Sequence, residues 1–233
     1  MCPAQVGISA RLAHPHIVRT YGSVPGPPRC LVIELLTCSL ADLFTPGPDG
    51  RPPDRLSYRE ALDICIGLVT GLTVLRSHNI VHGDLRRETV LIAGDMTAKV
   101  SDLGTARAMS EIGGGRTAAE PVQGHYCAPE RVARAGNVMV VPYAWDVYSA
   151  AVLCMEVLTR ERADAGRWPE LLPRVAHGPL REALINAHRG DPEARPSAGV
   201  LLEALRGAAG GGEYDGCPPR RRVTRVDGAI RLL

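Results

Sequence analysis

The stretch IVHGDLRRETVLI, residues 80–92, sets His82 and Asp84 ahead of a short apolar run. That order reads as a loop feeding a strand. A carboxylate in such a loop can take a proton from a substrate hydroxyl, or it can simply cap a turn. Thr89 closes the loop with a neutral hydroxyl. A second acidic residue, Asp102, stands in SDLG just before Gly104, where it can ligate a hard cation or form a turn. His82 reads as a packed structural residue rather than a proton carrier. Seven cysteines lie scattered at positions 2, 30, 38, 65, 127, 154 and 217, with no Cys-x-x-Cys pair, so no zinc or disulfide-exchange motif emerges. Most sit in apolar runs as small buried hydrophobes, and Cys127 is read as packing, which fits a reducing compartment.

These residues need a scaffold. The chain has 233 residues, 45% apolar, which suffices for one ordinary domain or two small ones. Aromatics are 4%, so aliphatic side chains must build the core. A net charge of +2 gives no strong pull toward nucleic acid or an anionic membrane. No basic segment followed by an apolar run opens the chain. The longest apolar stretch, 144–158, is interrupted by Asp146 and Glu156 and is too short for a bilayer.

The expected elements are a short helix over 5–13, a turn at HPH (14–16), strands at 17–22 and 29–36, and a short helix at SLADLF capped by Ser39. A loop follows at 45–55. Ser57 and Glu60 form a capping box that opens a long helix ending near His78, with Leu62, Ile66, Val69, Leu72 and Leu75 at helical spacing. Two strands flank the turn Gly94-Asp95. The segment 145–158 is apolar nearly all round, as a central helix would be. Helices near 168–176, 179–188 and 197–206 complete the body, and a basic, disordered tail is expected over 207–233. Its RRRVTR (220–225) reads as a solvated patch in preference to an import signal.

Five pieces in order carry a resemblance: HGDLRRET (82–89), SDLG (101–104), CAPE (127–130), WDVYS (145–149) and DPEARPS (191–197). Together they resemble the eukaryotic protein kinase family over roughly residues 5–206, with HPHIV, SLADLF and DPEARPS leaning toward its tyrosine-kinase-like group. The resemblance implies an α+β fold with a mainly helical large lobe and a partial small-lobe sheet. It divides the chain into a small-lobe remnant at 1–36, a large lobe at 37–206 and the tail.

Under that resemblance Asp84 is the base for the substrate hydroxyl, and Asp102 holds Mg²⁺ against the ATP phosphates. Thr89 occupies the place of a metal-binding Asn and is a poorer ligand. Ile33 and Glu34 resemble the gatekeeper and first hinge residue, the Leu36 backbone faces adenine, and Leu91 floors that pocket. Glu130 and Arg195 resemble the ion pair that ties the substrate loop to the large lobe. Asp146 resembles the acceptor of catalytic-loop N–H groups.

Departures are also visible. Leu103 replaces Phe, Gly83 replaces Arg, Gln5 stands where a helix Glu is expected, and Val122-Gln123 replaces Gly-Thr. The resemblance places a glycine-rich loop and a phosphate-binding Lys ahead of residue 5, where four residues are too few to hold them. The expectation is therefore a protein kinase chain with weak or no activity as given, acting on protein Ser/Thr or Tyr hydroxyls. It is expected to be cytoplasmic or nuclear, to bind a protein substrate or partner, and to have no nucleic-acid partner and no membrane span. A pseudokinase scaffold and a truncated reading of a longer gene are the alternatives. A small-molecule phosphotransferase of the aminoglycoside or choline kinase type shares His-Gly-Asp but lacks the Ala-Pro-Glu segment.

Overall fold

The computed structural model describes residues 12–26, 30–46, 56–104, 106–108, 124–132 and 141–210, with the backbone of 223–226 and 229–232. The expected helix over 5–13 falls almost wholly outside these residues, as do the glycine triplet at 113–115, Val122 and Gln123.

The early part is sheet. Strand β1 (Thr20–Val24) pairs antiparallel with β2 (Cys30–Ile33), with an irregularity between Thr20 and Gly22. Strand β3 (Cys38–Ser39) follows, and Ser39 and Asp42 bond each other's backbone and side chain to start a single 3₁₀ turn over Asp42–Phe44. This turn is shorter than the helix expected there.

Helix α1 (Tyr58–Ser77) starts on the expected capping box: the Ser57 hydroxyl accepts from the Glu60 N–H at 3.2 Å, and the Glu60 carboxylate accepts from the Ser57 N–H at 2.7 Å. Its apolar face is part of the core. Gly67 and Gly71 let it approach closely. A Cβ at Gly71 would lie 2.7 Å from the His16 carbonyl oxygen and 2.8 Å from Val100 Cγ2, and one at Gly67 would lie 2.9 Å from the His16 ring. The HPH turn thus nests on the helix, with His16 Nδ1 donating to the Ala98 carbonyl at 2.9 Å.

After α1 come β4 (Ile80–Val81), β5 (Val90–Ile92) and β6 (Ala98–Val100). Strand β5 sits between β3 and β6 in an antiparallel sheet. Strand β7 (Arg107–Ala108) pairs with β4. Ile17 bridges Val100, with N–H···O bonds of 2.9 Å from Val18 to Val100 and from Val100 to His16.

Helix α2 (Pro129–Val132) precedes α3 (Pro142–Thr159), which is buried almost all round and fills the centre of the hydrophobic core. Pro142 at its first turn and Arg160 in left-handed conformation just beyond its end (φ 64°) mark its limits. Helices α4 (Trp168–Leu171), α5 (Gly178–Ala187) and α6 (Ala198–Gly210) close the body, α6 packing on α1 and α5. Strands β8 (Val223–Val226) and β9 (Ala229–Leu232) pair antiparallel within the stretch expected to lack structure. The alternation VTRV…AIRL around Asp227-Gly228 is a hairpin signal that the Gly, Pro and Arg content of the neighbouring residues obscures.

Among the described residues no helix is long and apolar enough to cross a membrane. Small antiparallel sheets ahead of a helical body make this the expected α+β, kinase-like fold.

Candidate functional site

The loop after β4 is held from two sides. From below, Asp146 in the first turns of α3 accepts the N–H of His82 at 2.8 Å and of Gly83 at 2.9 Å. Burial pushes the Asp146 carboxyl up, against the opposing pull of these two donors and of the Arg131 charge. From the side, His82 is fully buried and lies 2.8 Å through Nε2 from the Ser101 carbonyl, while its Nδ1 accepts the Asp84 N–H at 3.2 Å. A carbonyl only accepts and an N–H only donates, so the geometry assigns the neutral tautomer with its proton on Nε2. His82 braces the loop and orients the backbone at Asp84.

Asp84 is half-buried, with Arg86 Nε 3.7 Å from its carboxylate; Arg86 also lies 3.8 Å from Glu88. Leu85 is buried beneath the loop. Thr89 is 2% exposed. Its hydroxyl accepts the Arg86 N–H at 3.0 Å and lies 3.0 and 3.2 Å from the carbonyls of Arg86 and Asp84. The side chain is occupied with holding the loop's own backbone.

Ser101 couples this loop to the next: its N–H and its hydroxyl both donate to the Thr89 carbonyl, at 2.8 and 3.0 Å. One residue on, Asp102 adopts φ 53°, a left-handed conformation favoured by Asp and Asn among side-chain-bearing residues, and its exposed carboxylate accepts the Gly104 N–H at 3.3 Å. Leu103 is buried where the resemblance expects Phe. The two acidic residues therefore stand on adjacent loops tied by the His82–Ser101 and Ser101–Thr89 bonds. Among the described residues no group of three His, Cys, Asp or Glu side chains could hold a metal by itself. Asp102 offers an exposed hard oxygen suited to Mg²⁺, whereas Thr89 is enclosed.

The residues expected to form a hinge lie at the end of β2 and just beyond it. Ile33 is exposed, Leu36 is half-buried, and Leu91 is half-buried on β5, opposite Ser39 and Lys99 in the sheet. Glu34 accepts from Lys99 Nζ at 2.8 and 2.7 Å and from the Arg19 N–H at 2.8 Å. Burial works to raise the Glu34 carboxyl, but Lys99 and Arg19 outweigh it and hold it below its ordinary value. This carboxylate is committed to pinning the chain between β1 and β6, and only its backbone remains to serve a hinge.

Arg195 and Glu130 form a bidentate pair at 2.7 and 2.7 Å. Arg195 also donates to the carbonyls of Arg189 at 2.7 Å, Ala144 at 3.0 Å and Gly190 at 3.2 Å, so all five guanidinium N–H groups are used. Arg131, next to Glu130, donates to the Gly83 carbonyl and stacks on Trp145 at 4.6 Å. It brings a guanidinium to the loop in which Gly83 replaces Arg. Burial pushes the Cys127 thiol up, with the charges of Arg131, Glu130 and Asp84 acting on it, as expected for a packed side chain beside this loop.

Sequence reasoning missed Arg87, His125 and Tyr126, which cluster half-buried around the buried Glu156. The available signal was a lone Glu in a helix apolar nearly all round, since a buried carboxylate requires partners.

A family model described as the protein kinase domain matches residues 3–166. The tyrosine-protein kinase Srms of Mus musculus is 25% identical over 210 residues, covering 83% of this chain and 40% of Srms. The receptor-like serine/threonine-protein kinase ALE2 of Arabidopsis thaliana is 33% identical over 166 residues, covering 68% of this chain and 21% of ALE2. The probable serine/threonine-protein kinase PknB of Lactococcus lactis is 34% identical over 104 residues, covering 45% of this chain and 16% of PknB. The chain spans two fifths or less of the length of these relatives.

Proposed function

The chain belongs to the protein kinase domain family, and from that premise we propose that it is the large lobe and hinge of an ATP-dependent phosphotransferase acting on protein hydroxyls, with little activity as these 233 residues alone. Asp84 is the group that accepts the proton of the substrate hydroxyl. Asp102 is the residue that would hold Mg²⁺, which supplies charge neutralisation at the phosphates when bound. Ile33, the backbone of Glu34 and Leu36, and Leu91 are the adenine-facing positions.

The observation that carries this reading is the bonded frame around Asp84: Asp146 holds the N–H groups of His82 and Gly83, and His82 holds that of Asp84 while reaching the carbonyl next to Asp102. A frame of this kind fixes a catalytic carboxylate against a neighbouring metal-binding one. The bidentate Glu130–Arg195 pair lies in the segment that small-molecule phosphotransferases lack, and it supports a protein substrate.

The weak-activity part follows from magnitudes. Losing one preorganised charge-stabilising donor costs about 2.7–4 kcal/mol of barrier. Thr89 cannot substitute for an amide ligand from its enclosed position. The same enclosure of Thr89 favours the second reading, a pseudokinase whose large lobe docks protein partners.

The two separate in a thermal-shift titration with ATP and Mg²⁺, run beside Asp102→Asn. Stabilisation of the parent chain that Asp102→Asn abolishes supports the phosphotransferase. A cooperative melt that nucleotide leaves unmoved supports the scaffold. Transfer to a generic protein substrate that survives Asp84→Asn would overturn the role given to Asp84.

A further inference from the structure

Gly83 stands immediately before Asp84 with φ 78°, in the left-handed region that favours glycine. It has no side chain to anchor it, so the peptide unit between Gly83 and Asp84 has to be held from outside. That unit carries two polar groups. Its N–H, on Asp84, donates to His82 Nδ1 at 3.2 Å, a long bond between neutral partners. Its carbonyl, on Gly83, accepts from Arg131 Nη1. A hydrogen bond from a charged donor is about twice as strong as one between neutral groups. Arg131 is therefore the stronger of the two holds on this peptide. Asp146 fixes the N–H on the other side of Gly83 at 2.9 Å.

Arg131 is itself fixed at both ends. Its backbone N–H donates to the Ala128 carbonyl at 2.9 Å, and Glu130 beside it is locked by Arg195 through bonds of 2.7 and 2.7 Å. Its guanidinium lies over the Trp145 ring at 4.6 Å. Trp145 directly precedes Asp146 in α3, so the seat of the guanidinium and the acceptor of the Gly83 N–H come from adjacent positions of one helix. A surface charge would not settle in this way. Arg131 Nε is buried with no hydrogen-bond partner among the described residues, and the neighbouring carboxylate, Glu130, is engaged by Arg195. Turning outward would give that N–H water. The side chain instead stays on Trp145 and directs a donor at one backbone carbonyl.

We propose that Arg131 is a positioning residue for Asp84: its guanidinium, seated on Trp145, sets the orientation of the Gly83–Asp84 peptide and so aims the carboxylate that follows. The inference rests on the proposed function for the meaning of Asp84, whereas the hold on the peptide is a matter of geometry.

The test compares amide hydrogen exchange, read by NMR on the full chain, in the parent, Arg131→Met and Arg131→Lys. Methionine keeps an unbranched stem over Trp145 and removes every donor. The amides of Gly83 and Asp84 are expected to exchange at least tenfold faster in Arg131→Met, with those of α1 and α6 changed less than twofold. Arg131→Lys, which keeps a charged donor, should bring both amides back to within threefold of the parent. Unchanged exchange at Gly83 and Asp84, uniform acceleration across the chain, or Arg131→Lys as fast as Arg131→Met overturns the proposal. If Arg131→Met does not fold, Arg131→Gln, shorter and neutral, should speed the same two amides at least threefold, and no change there overturns the proposal.

Where the parent protein phosphorylates a protein substrate, Arg131→Met should lower kcat at least tenfold and leave KM for ATP and for that substrate within twofold, with Arg131→Lys recovering most of the rate. A raised KM at unchanged kcat overturns the positioning role. A parent chain that neither binds ATP with Mg²⁺ nor phosphorylates sinks the proposed function, and the exchange experiment still decides the hold on the peptide.

Discussion

At the scale of single residues, buried polar groups decide most of the site. Asp146 is the clearest. Asp146→Asn keeps the shape but presents an amide NH₂ to one of the two N–H groups it now accepts, so one donor is orphaned. Bonds to a charged acceptor contribute about 1.5–3 kcal/mol each, and we expect a loss of about that size in urea unfolding, with faster exchange at His82 and Gly83. His188 makes the opposite kind of prediction. It stacks on Trp168 at 3.8 Å and on Tyr148 at 4.7 Å, and its Nε2 is buried without a hydrogen-bond partner among the described residues. Burial, then the nearby Arg195, pulls its pKa down from 6.5 to about 4. The folded state therefore refuses a proton that the unfolded chain accepts. The stability His188 contributes is whole above pH 6.5 and is lost as pH falls from 6.5 toward about 4. Between pH 7 and pH 4.5 the urea midpoint of the parent chain should fall by more than that of His188→Gln. Equal falls would show that other groups carry the acid sensitivity. Asp84, Asp102, Asp146, Glu130 and Arg195 stand in ordered motifs that the sequence itself displays. Glu156 does not, and its partners lie 31, 30 and 69 residues away and share no local pattern with it.

At the scale of elements, periodicity and caps were readable where they act locally. The Ser57–Glu60 box and the nearly all-apolar run 145–158 translate directly into helices, α3 beginning three residues earlier at Pro142. SLADLF did not become a full helix, because Ser39 and Asp42 satisfy each other's backbone in one turn and Thr45 leaves it extended. The close crossing of α1 over the HPH turn was illegible, since it depends on contacts across the fold. Gly71 shows its consequence. In an isolated helix Gly→Ala gains about 1 kcal/mol from propensity. Here the added Cβ meets a backbone carbonyl at 2.7 Å and a packed Val100 methyl at 2.8 Å. Overpacking costs about 1–3 kcal/mol, and a backbone oxygen yields less readily than a side-chain end. Gly71→Ala should therefore destabilise by about 1–2 kcal/mol in denaturant titration. Gly166, with open space around its Cβ position, serves as the control and should change little.

At the scale of the whole molecule, the helical body is well packed around α3 while the early sheet is not covered to the same degree. Tyr21, Val24, Val32, Ile33 and Leu35 are exposed, Leu35 by 98% and Tyr21 by 62%. They cluster on a two-stranded sheet and the residues that follow it. A two-stranded ribbon is marginal by itself, and apolar surface beside strand edges that no other described strand pairs favours pairing between copies. The helical body does not share this weakness, since α3 lies at the centre of a hydrophobic core that reaches from Leu12 to Ala208. The two parts should therefore respond differently to the same change. Polar substitution at Val32 and Leu35 (Val32→Thr with Leu35→Gln) removes exposed apolar area and leaves α1, α3 and α6 untouched. In sedimentation or light scattering at rising concentration, the parent chain should form larger species and the double variant should remain monomeric. The melting temperature of the body should stay within about 2 °C, since surface substitutions away from packed features change stability by less than about 0.5 kcal/mol. A parent chain that stays monodisperse at high concentration would show that this sheet is covered in solution. A double variant that melts many degrees lower would place Val32 and Leu35 in the folding core instead of on its rim.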